Sequence, residues 1–430
     1  MLTKAWTPLR YHELQARLWR SKARFINVAA GRGSGKTEIA RRYIVRMLPV
    51  AKPWSNPMYF YGLPTYKQAR RVAWRPIKEL VPHDWIKTIN ETEMRIDTVF
   101  GSSLYILGLD KPARIEGDQW DGGVLDESCD QRPNVFSLSV LPALSHRAGW
   151  CRRIGVPKRF GVGAAEFKDA YMRGVEAGYG SDHESYTWSS EDILSKEQLR
   201  WAKENLDAKD YDEQYRASWE DISGLIFYAY DDILNVAEGV YNPSMPLIVG
   251  SDFNVDPMAW VVCQRGKNAN ELYVLDEMFV RNTNTQACLD MLFKRWGSHQ
   301  AGFEFYGDAS GRARNTRASE SDYLQIRNDT RFSNARVFYP QRNPSRKNRF
   351  AACNAMFCNA LSLRRCFIAP RCKHLRKDLL SRAYLQGTTE VNDKTDSDLG
   401  HISDAFGYVI HSLFPIILQG SVEPKVYISV

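Results

Sequence analysis

The run Ala30-Gly31-Arg32-Gly33-Ser34-Gly35-Lys36-Thr37 has the composition of a loop that wraps a polyphosphate. Glycines let backbone N–H groups converge on anionic oxygens at the start of a helix, while Lys36 reaches β and γ oxygens and the Thr37 hydroxyl ligates Mg²⁺. Gly31, Arg32, Gly33, Ser34, Gly35, Lys36 and Thr37 are therefore the expected contacts of ATP. Ala30 stands where the usual pattern has its first glycine. Hydrolysis needs more than this loop: one carboxylate to hold the metal and one to orient water. Gly122-Gly123-Val124-Leu125-Asp126-Glu127, about 90 residues after Lys36, supplies both. Asp126 is placed to hold Mg²⁺ through water and Glu127 to polarise the attacking water.

A second set of acids recurs in the other half. Asp252 ends the apolar run Leu247-Ile248-Val249-Gly250-Ser251, Asp308 follows Phe303-Glu304-Phe305-Tyr306-Gly307, and Asp404 sits one turn after His401 near the C-terminus. An acid in an apolar strand is costly to bury unless a cation or donors satisfy it. Asp252, Asp308 and Asp404, brought together, would hold two Mg²⁺ or Mn²⁺ ions about 4 Å apart, one activating water and the other stabilising a leaving 3′ oxygen. Glu277 and Asp256 are further candidates, Glu277 on a strand facing that site and Asp256 in the loop after Asp252. Asp398 and His401 could tune the third ligand from outside. Whether Glu277, Asp256 or His401 assists is open in the sequence.

These groups imply particular elements. Arg24 to Ala29 reads as a buried strand and the segment from Lys36 through Leu48 as an amphipathic helix, the strand, loop and helix order a phosphate-binding loop requires. Tyr59 to Leu63 reads as a strand leading through Pro64 into a basic helix, so Thr65 and Lys67 fall where nucleotide or phosphate is sensed. Arg152-Arg153-Ile154-Gly155-Val156-Pro157 reads as a further parallel strand and its exit loop, able to couple the γ-phosphate state to movement. Gln15 either reads the adenine edge, with Tyr11 or Trp6 stacking nearby, or is a solvated helix residue. In the second half, Met258 to Gln264 pairs with Glu271 to Phe279 across Gly266-Lys267-Asn268-Ala269-Asn270, and a hairpin beside a strand bearing Asp252 is the start of a ribonuclease-H-like sheet. The last helix spans about Gly400 to Leu413.

The expected fold class is α/β: a P-loop NTPase domain with a mainly parallel sheet at 1–221, a linker region at 222–246, a ribonuclease-H-like nuclease domain at 247–415 and a C-terminal tail at 416–430. A chain of 430 residues exceeds the length at which one core keeps growing, which also argues for two domains. Hydrophobic residues at 44% and charged ones at 25% exclude disordered and fibrous classes. Tyr408 to Leu418 is too short to span a bilayer and is broken by His411 and Pro415, and the N-terminus lacks the apolar core of a secretory signal. The expectation is a cytoplasmic protein with no membrane partner. Cys353, Cys358, Cys366, Cys372 and His374 are separated by four, seven, five and one residues, without paired zinc knuckles, so buried thiols are expected. The net charge of +8 and the basic run holding Arg312, Arg314, Arg317, Arg342, Arg346, Lys347 and Arg349 suit a polyanion.

These motifs together resemble the large subunits of tailed-bacteriophage terminases. Arg32, four residues before Lys36, resembles the arginine-bearing phosphate loop of that family, and Pro64-Thr65-Tyr66-Lys67-Gln68-Ala69 is similar to its second motif. Tyr211-Asp212-Glu213-Gln214-Tyr215-Arg216-Ala217-Ser218-Trp219 resembles the stretch closing its ATPase domain, whereas Val156-Pro157 stands where many relatives have Thr or Ser before Pro. The resemblance implies ATP-driven packaging of double-stranded DNA, action of Arg32 on the γ-phosphate, and cleavage of concatemeric DNA through Asp252, Asp308 and Asp404. It further implies a portal protein and a small terminase subunit as partners, a homo-oligomeric ring on the portal, and residence in the host cytoplasm. Two other classes compete: a helicase-like ATPase whose second half only binds nucleic acid, and a passive assembly protein with a vestigial nucleotide site.

Overall fold

The computed structural model describes residues 12–220, 224–312, 320–385, 388, 390–392, 398–416 and 426–429. Trp6, Tyr11, Arg314 and Arg317 lie outside the described residues. The chain divides into two compact units, Met1–Leu199 with Asp212–Asp221, and Arg200–Tyr211 with Ile222–Val430.

The first unit is built on β1 (Phe25–Ala30), β2 (Met58–Leu63), β3 (Ile86–Asn90), β4 (Arg95–Thr98), β5 (Ser103–Gly108), β6 (Gly122–Leu125), β7 (Trp150–Gly155) and β8 (His183–Trp188). Among the described residues they form one sheet in the order β3-β4-β5-β2-β6-β7-β1-β8. The strands from β5 to β8 in that order pair in parallel, and β3 and β4 form an antiparallel extension. β1, β2, β6 and β7 are buried nearly throughout because helices cover both faces, which removes the polar alternation of a one-sided sheet. On one face lie Ile39, Ile44 and Val45 of the helix Lys36–Met47 with Ile77 and Leu80 of Arg75–Leu80. The other is packed by Trp120, Val140 and Leu144, and by Phe167 of the helix Ala164–Ala177. The basic segment after Thr65 continues as a short α-turn, a π-helical stretch Ala69–Trp74 and the helix Arg75–Leu80.

The second unit carries β9 (Leu247–Asp252), β10 (Met258–Arg265), β11 (Leu272–Val280), β12 (Phe303–Gly307), β13 (Arg336–Pro340), β14 (Cys366–Ile368) and β15 (Val426–Ser429). Their order is β14-β11-β10-β9-β12-β13-β15. β9, β10 and β11 form an antiparallel meander, and β12 and β13 add in parallel beyond β9. This mixed sheet, with the first strand central, is the ribonuclease-H-like arrangement expected. Alternate residues of β10 enter different cores: Ala259, Val261 and Cys263 pack toward the helices Arg346–Phe357, Lys373–Ser381 and His401–Leu413, while Met258, Trp260 and Val262 pack toward Thr285–Trp296. Gly250 permits the last helix to lie against β9, since a Cβ there would stand 2.5 Å from Val409 Cγ2 and 2.6 Å from the Ala405 carbonyl oxygen.

Two segments differ from the expected organisation. In the stretch 222–246, read as a linker, Ile226, Phe227 and Tyr230 enter the core of the second unit, because aromatic and aliphatic side chains at those positions find an apolar face to cover. In the tail 416–430, Val426–Ser429 pairs antiparallel with β13 as an edge strand. Cys353, Cys366 and Cys372 are buried among apolar neighbours and His374 stacks on Phe279 with ring centroids 4.4 Å apart. Among the described residues no helix is long and apolar enough to cross a membrane.

Candidate active sites

In the first unit the parallel strands discharge their loops at one edge of the sheet, and the glycine loop and the acid pair both lie there. β1 leads into Gly31–Gly35, and β6 into Asp126 and Glu127. Gly33 and Gly35 adopt φ of +71° and +82°, which turns the chain sharply into the helix at Lys36. The loop is braced from behind. Gln15 Nε2 and Trp188 Nε1 donate to the Ser34 carbonyl at 2.9 and 3.0 Å, Ser190 Oγ donates to the Arg32 carbonyl at 2.6 Å, and Arg32 N donates to the Gln214 carbonyl at 2.7 Å. A Cβ on Gly31 would lie 2.2 Å from Ser190 Oγ and 2.4 Å from the Tyr215 carbonyl oxygen, so the close approach requires glycine. Gln15 is thus buried and bonded to the loop backbone, which corrects the solvated-helix alternative and gives its amide nitrogen a structural partner. The stretch after Tyr211 closes onto this loop through the Gln214 carbonyl, while the Tyr215 carbonyl accepts from the Ser189 hydroxyl at 3.2 Å.

Lys36 is buried, with Nζ 3.3 Å from the Gly31 carbonyl oxygen. Burial pushes its ammonium below the ordinary lysine value, opposed by the charges of Glu127 and Asp126. Asp126 is buried as well. Its carboxyl is pushed up by burial and by Glu127, and its oxygens accept from the Tyr61 hydroxyl at 2.7 Å and from the Glu127 N–H at 2.8 Å. A buried carboxylate supplied with donors has the chemistry to bind a divalent cation. Glu127 adopts a left-handed conformation, φ +51° and ψ +49°, and Gln131 Nε2 donates to the Asp126 carbonyl at 2.9 Å, so the turn presenting the acid is fixed. Sequence reasoning missed Tyr61, whose aromatic strand position signals only burial, and Lys158, three residues beyond β7. Lys158 Nζ donates to the Asp130 carboxylate and stands 3.6 Å from Glu127 Oε2.

In the second unit β9 and β12 are adjacent and parallel, pairing Ser251 with Gly307, so Asp252 and Asp308 emerge at the same sheet edge. Burial raises both carboxyls; the charge of Asp404 adds to the rise at Asp252, and that of Asp252 to the rise at Asp308. The three acids expected together are within electrostatic reach. Their partners, however, differ. Asp252 Oδ2 is 2.9 Å from His401 Nδ1, and Asp308 bonds to the Ser310 hydroxyl and to the Gly311 N–H at 3.4 Å. Asp404 Oδ1 is held by Arg382 Nη1 at 2.8 Å and Arg349 Nη1 at 3.0 Å. Burial alone would raise the Asp404 carboxyl, but the two guanidinium groups outweigh it and hold it below the ordinary value. Among the described residues no group of three or more His, Cys, Asp or Glu stands at metal-ligand spacing. The carboxylate of Asp404 is taken up by arginine, which leaves Asp252 and Asp308 as the two acids whose carboxyls burial raises.

The accessory residues also find partners that sequence did not indicate. Glu277 accepts from the His374 and Leu375 N–H groups at 2.8 and 2.9 Å and so caps the helix Lys373–Ser381. Asp256 lies 3.7 Å from Arg281, and Asp398 bonds to the same arginine, away from Asp404. His401 hydrogen-bonds the first acid, Asp252, and feels the third, Asp404, through its charge. Arg349, counted with the basic surface run, is buried against Asp404, leaving Arg312, Arg342 and Arg346 exposed.

No family model matches the chain. It is 23% identical over 312 residues to the curated "Terminase, large subunit" of Thermus phage G20c, covering 65% of this chain, and equally so to that of Thermus virus P23-45. The chain spans 62% of the length of those curated relatives. The structure of the large terminase from a thermophilic bacteriophage superposes with a TM-score of 0.59 at 14% identity, over 94% of this chain and 99% of that one. The same terminase in complex with ADP gives 0.57 at 15% identity, with the same coverage. The α/β fold of both units is shared with that terminase, and the curated relatives that the chain resembles are both named as large terminase subunits.

Proposed function

We propose that this chain is the motor and nuclease of a viral DNA-packaging machine: ATP hydrolysis in the first unit drives translocation of double-stranded DNA into a procapsid, and the second unit cuts the concatemer. The observation that carries the reading is the cluster in which buried Lys36 and Asp126 and half-buried Glu127 act electrostatically on one another at the mouth of the braced glycine loop. Lys36 and the loop N–H groups receive the phosphates of ATP, Arg32 acts on the γ-phosphate, and Glu127 takes up the proton side of the attacking water. Mg²⁺, held by Thr37 and Asp126, would neutralise charge on the phosphate oxygens. In the second unit Asp252 and Asp308 would hold Mg²⁺ or Mn²⁺, which lowers the pKa of a bound water. His401 orients Asp252 there, and Arg349 and Arg382 anchor Asp404 beside it. The partners that go with this role are double-stranded DNA, a portal ring that gathers copies of the chain, a small terminase subunit, and a site of action in the host cytoplasm.

Supercoiled plasmid incubated with the purified chain and Mn²⁺ or Mg²⁺ tests the reading, alongside EDTA, Asp252→Ala and Glu127→Ala. The expected outcome is metal-dependent cleavage lost in Asp252→Ala with ATP turnover retained, and turnover lost in Glu127→Ala with cleavage retained. Cleavage absent under every metal, with ATP turnover intact, would instead support the helicase-like class.

A further inference from the structure

β7 lies between β1 and β6, so its exit loop runs between the glycine loop and the Asp126–Glu127 turn. That loop carries Val156 and Pro157 and then Lys158, a buried lysine. Lysine is rarely buried unless its charge is matched. Here the match is made twice: Lys158 Nζ donates to the carboxylate of Asp130, on the short turn that follows Glu127, and stands 3.6 Å from Glu127 Oε2. The two contacts differ in kind. Asp130 takes the hydrogen bond and fixes the ammonium in place, while Glu127 receives the fixed charge at ion-pair distance without that bond. Burial would lower the Lys158 ammonium, but Glu127 and Asp130 outweigh it and keep it charged. The next residue is tied down too, with Arg159 N donating to Glu213 at 3.0 Å, adjacent to the Gln214 carbonyl that meets the glycine loop.

A glutamate side chain has several rotamers, and a water-orienting carboxylate works only from one of them. We propose that Lys158 is the positioning residue for Glu127: pinned by Asp130, it holds the catalytic carboxylate in the place from which it orients water on ATP. The inference rests on the ATPase reading above and assigns the β7 exit loop a direct contact with the hydrolytic acid.

The test uses the full-length chain, reading kcat and KM for ATP by single-turnover and steady-state hydrolysis, and ADP affinity without turnover. Lys158→Met is expected to lower kcat roughly 100-fold, with KM, ADP affinity and melting temperature little changed, and Lys158→Arg to recover most of the rate. In a Glu127→Ala background, Lys158→Met is expected to add no further loss, because the group it positions is gone. An unchanged or raised kcat overturns the proposal, as do equal losses in both backgrounds, which mark a structural ion pair. If Lys158→Met does not fold, Asp130→Asn frees the ammonium from its anchor and is expected to lower kcat alone; no change there overturns the proposal as well. Failure of the wild-type chain to hydrolyse ATP would count against the ATPase reading, whereas wild-type turnover indifferent to Lys158 counts against the positioning role.

Discussion

At the residue scale the two acid groups of the second unit illustrate how similar side chains are put to opposite uses. Asp252 is half-buried and Asp308 buried, and desolvation together with like charge, that of Asp404 at Asp252 and that of Asp252 at Asp308, raises both carboxyls. Asp404, on the neighbouring helix, is matched by two arginines. Removing a carboxylate from a buried pair leaves uncompensated cations and typically costs about 3–5 kcal/mol. Asp404→Ala is therefore expected to destabilise the second unit by roughly that amount, whereas Asp252→Ala, which relieves repulsion, is expected to change stability by less than about 1 kcal/mol. Urea denaturation of both variants checks this, and a marginal effect of Asp404→Ala would mean that the arginine pairs are not what holds its carboxylate. The same logic explains why Asp404 could be found in the sequence and its partners could not. An acid after a terminal-helix histidine is visible, but Arg349 reads as one more cation in a basic run until it is seen buried.

At the element scale the helix His401–Leu413 does three things at once. Its first turn supplies His401 to Asp252, Ser403 and Asp404 receive Arg382, and its far end buries His411. Burial, with Arg349 nearby, lowers the His411 pKa to about 4. The unfolded chain, with an ordinary histidine near 6.5, then binds a proton in a range where the native state does not. Stability from this group is complete above pH ~6.5 and is lost as the pH falls toward the folded value, by up to about 3 kcal/mol. Chemical denaturation between about pH 7.5 and 4.5 should show His411→Leu losing less stability on acidification than the wild type. Parallel curves for the two proteins would remove His411 from the acid response. The position of this helix was legible from its apolar residues and the preceding glycine, but its close approach to β9 depends on Gly250, whose role appears only when Val409 and Ala405 are seen against it.

At the scale of the whole molecule the chain carries a net charge of +8, and Arg312, Arg342 and Arg346 are exposed in the second unit. Contacts of this kind neutralise phosphates and release counterions without reading bases. Binding of double-stranded DNA is expected to weaken linearly in log affinity with log salt. Arg346→Ala should lower the slope by about 0.9, the share of one phosphate contact, with no dependence on DNA sequence. An unchanged slope would take Arg346 off the DNA path.

What the sequence determined by itself was the chemistry of local order: the glycine loop opening a helix, the acid pair ending an apolar strand, and the hairpin beside Asp252. Each is set by neighbours a few residues apart, where backbone conformation and period decide the outcome. The tertiary structure decided what depends on parallel strands ending at one edge and on helices crossing them. It brought Lys158 to Glu127 and Tyr61 to Asp126, turned Glu277 into a helix cap, gave His401 to Asp252 and matched Asp404 with Arg349 and Arg382. It also drew Ile226 and Phe227 from an apparent linker into a core. These partners are separated along the chain by tens of residues or more, and the pairing of a buried charge is fixed by which surfaces exclude water around it, a property that no local spacing encodes.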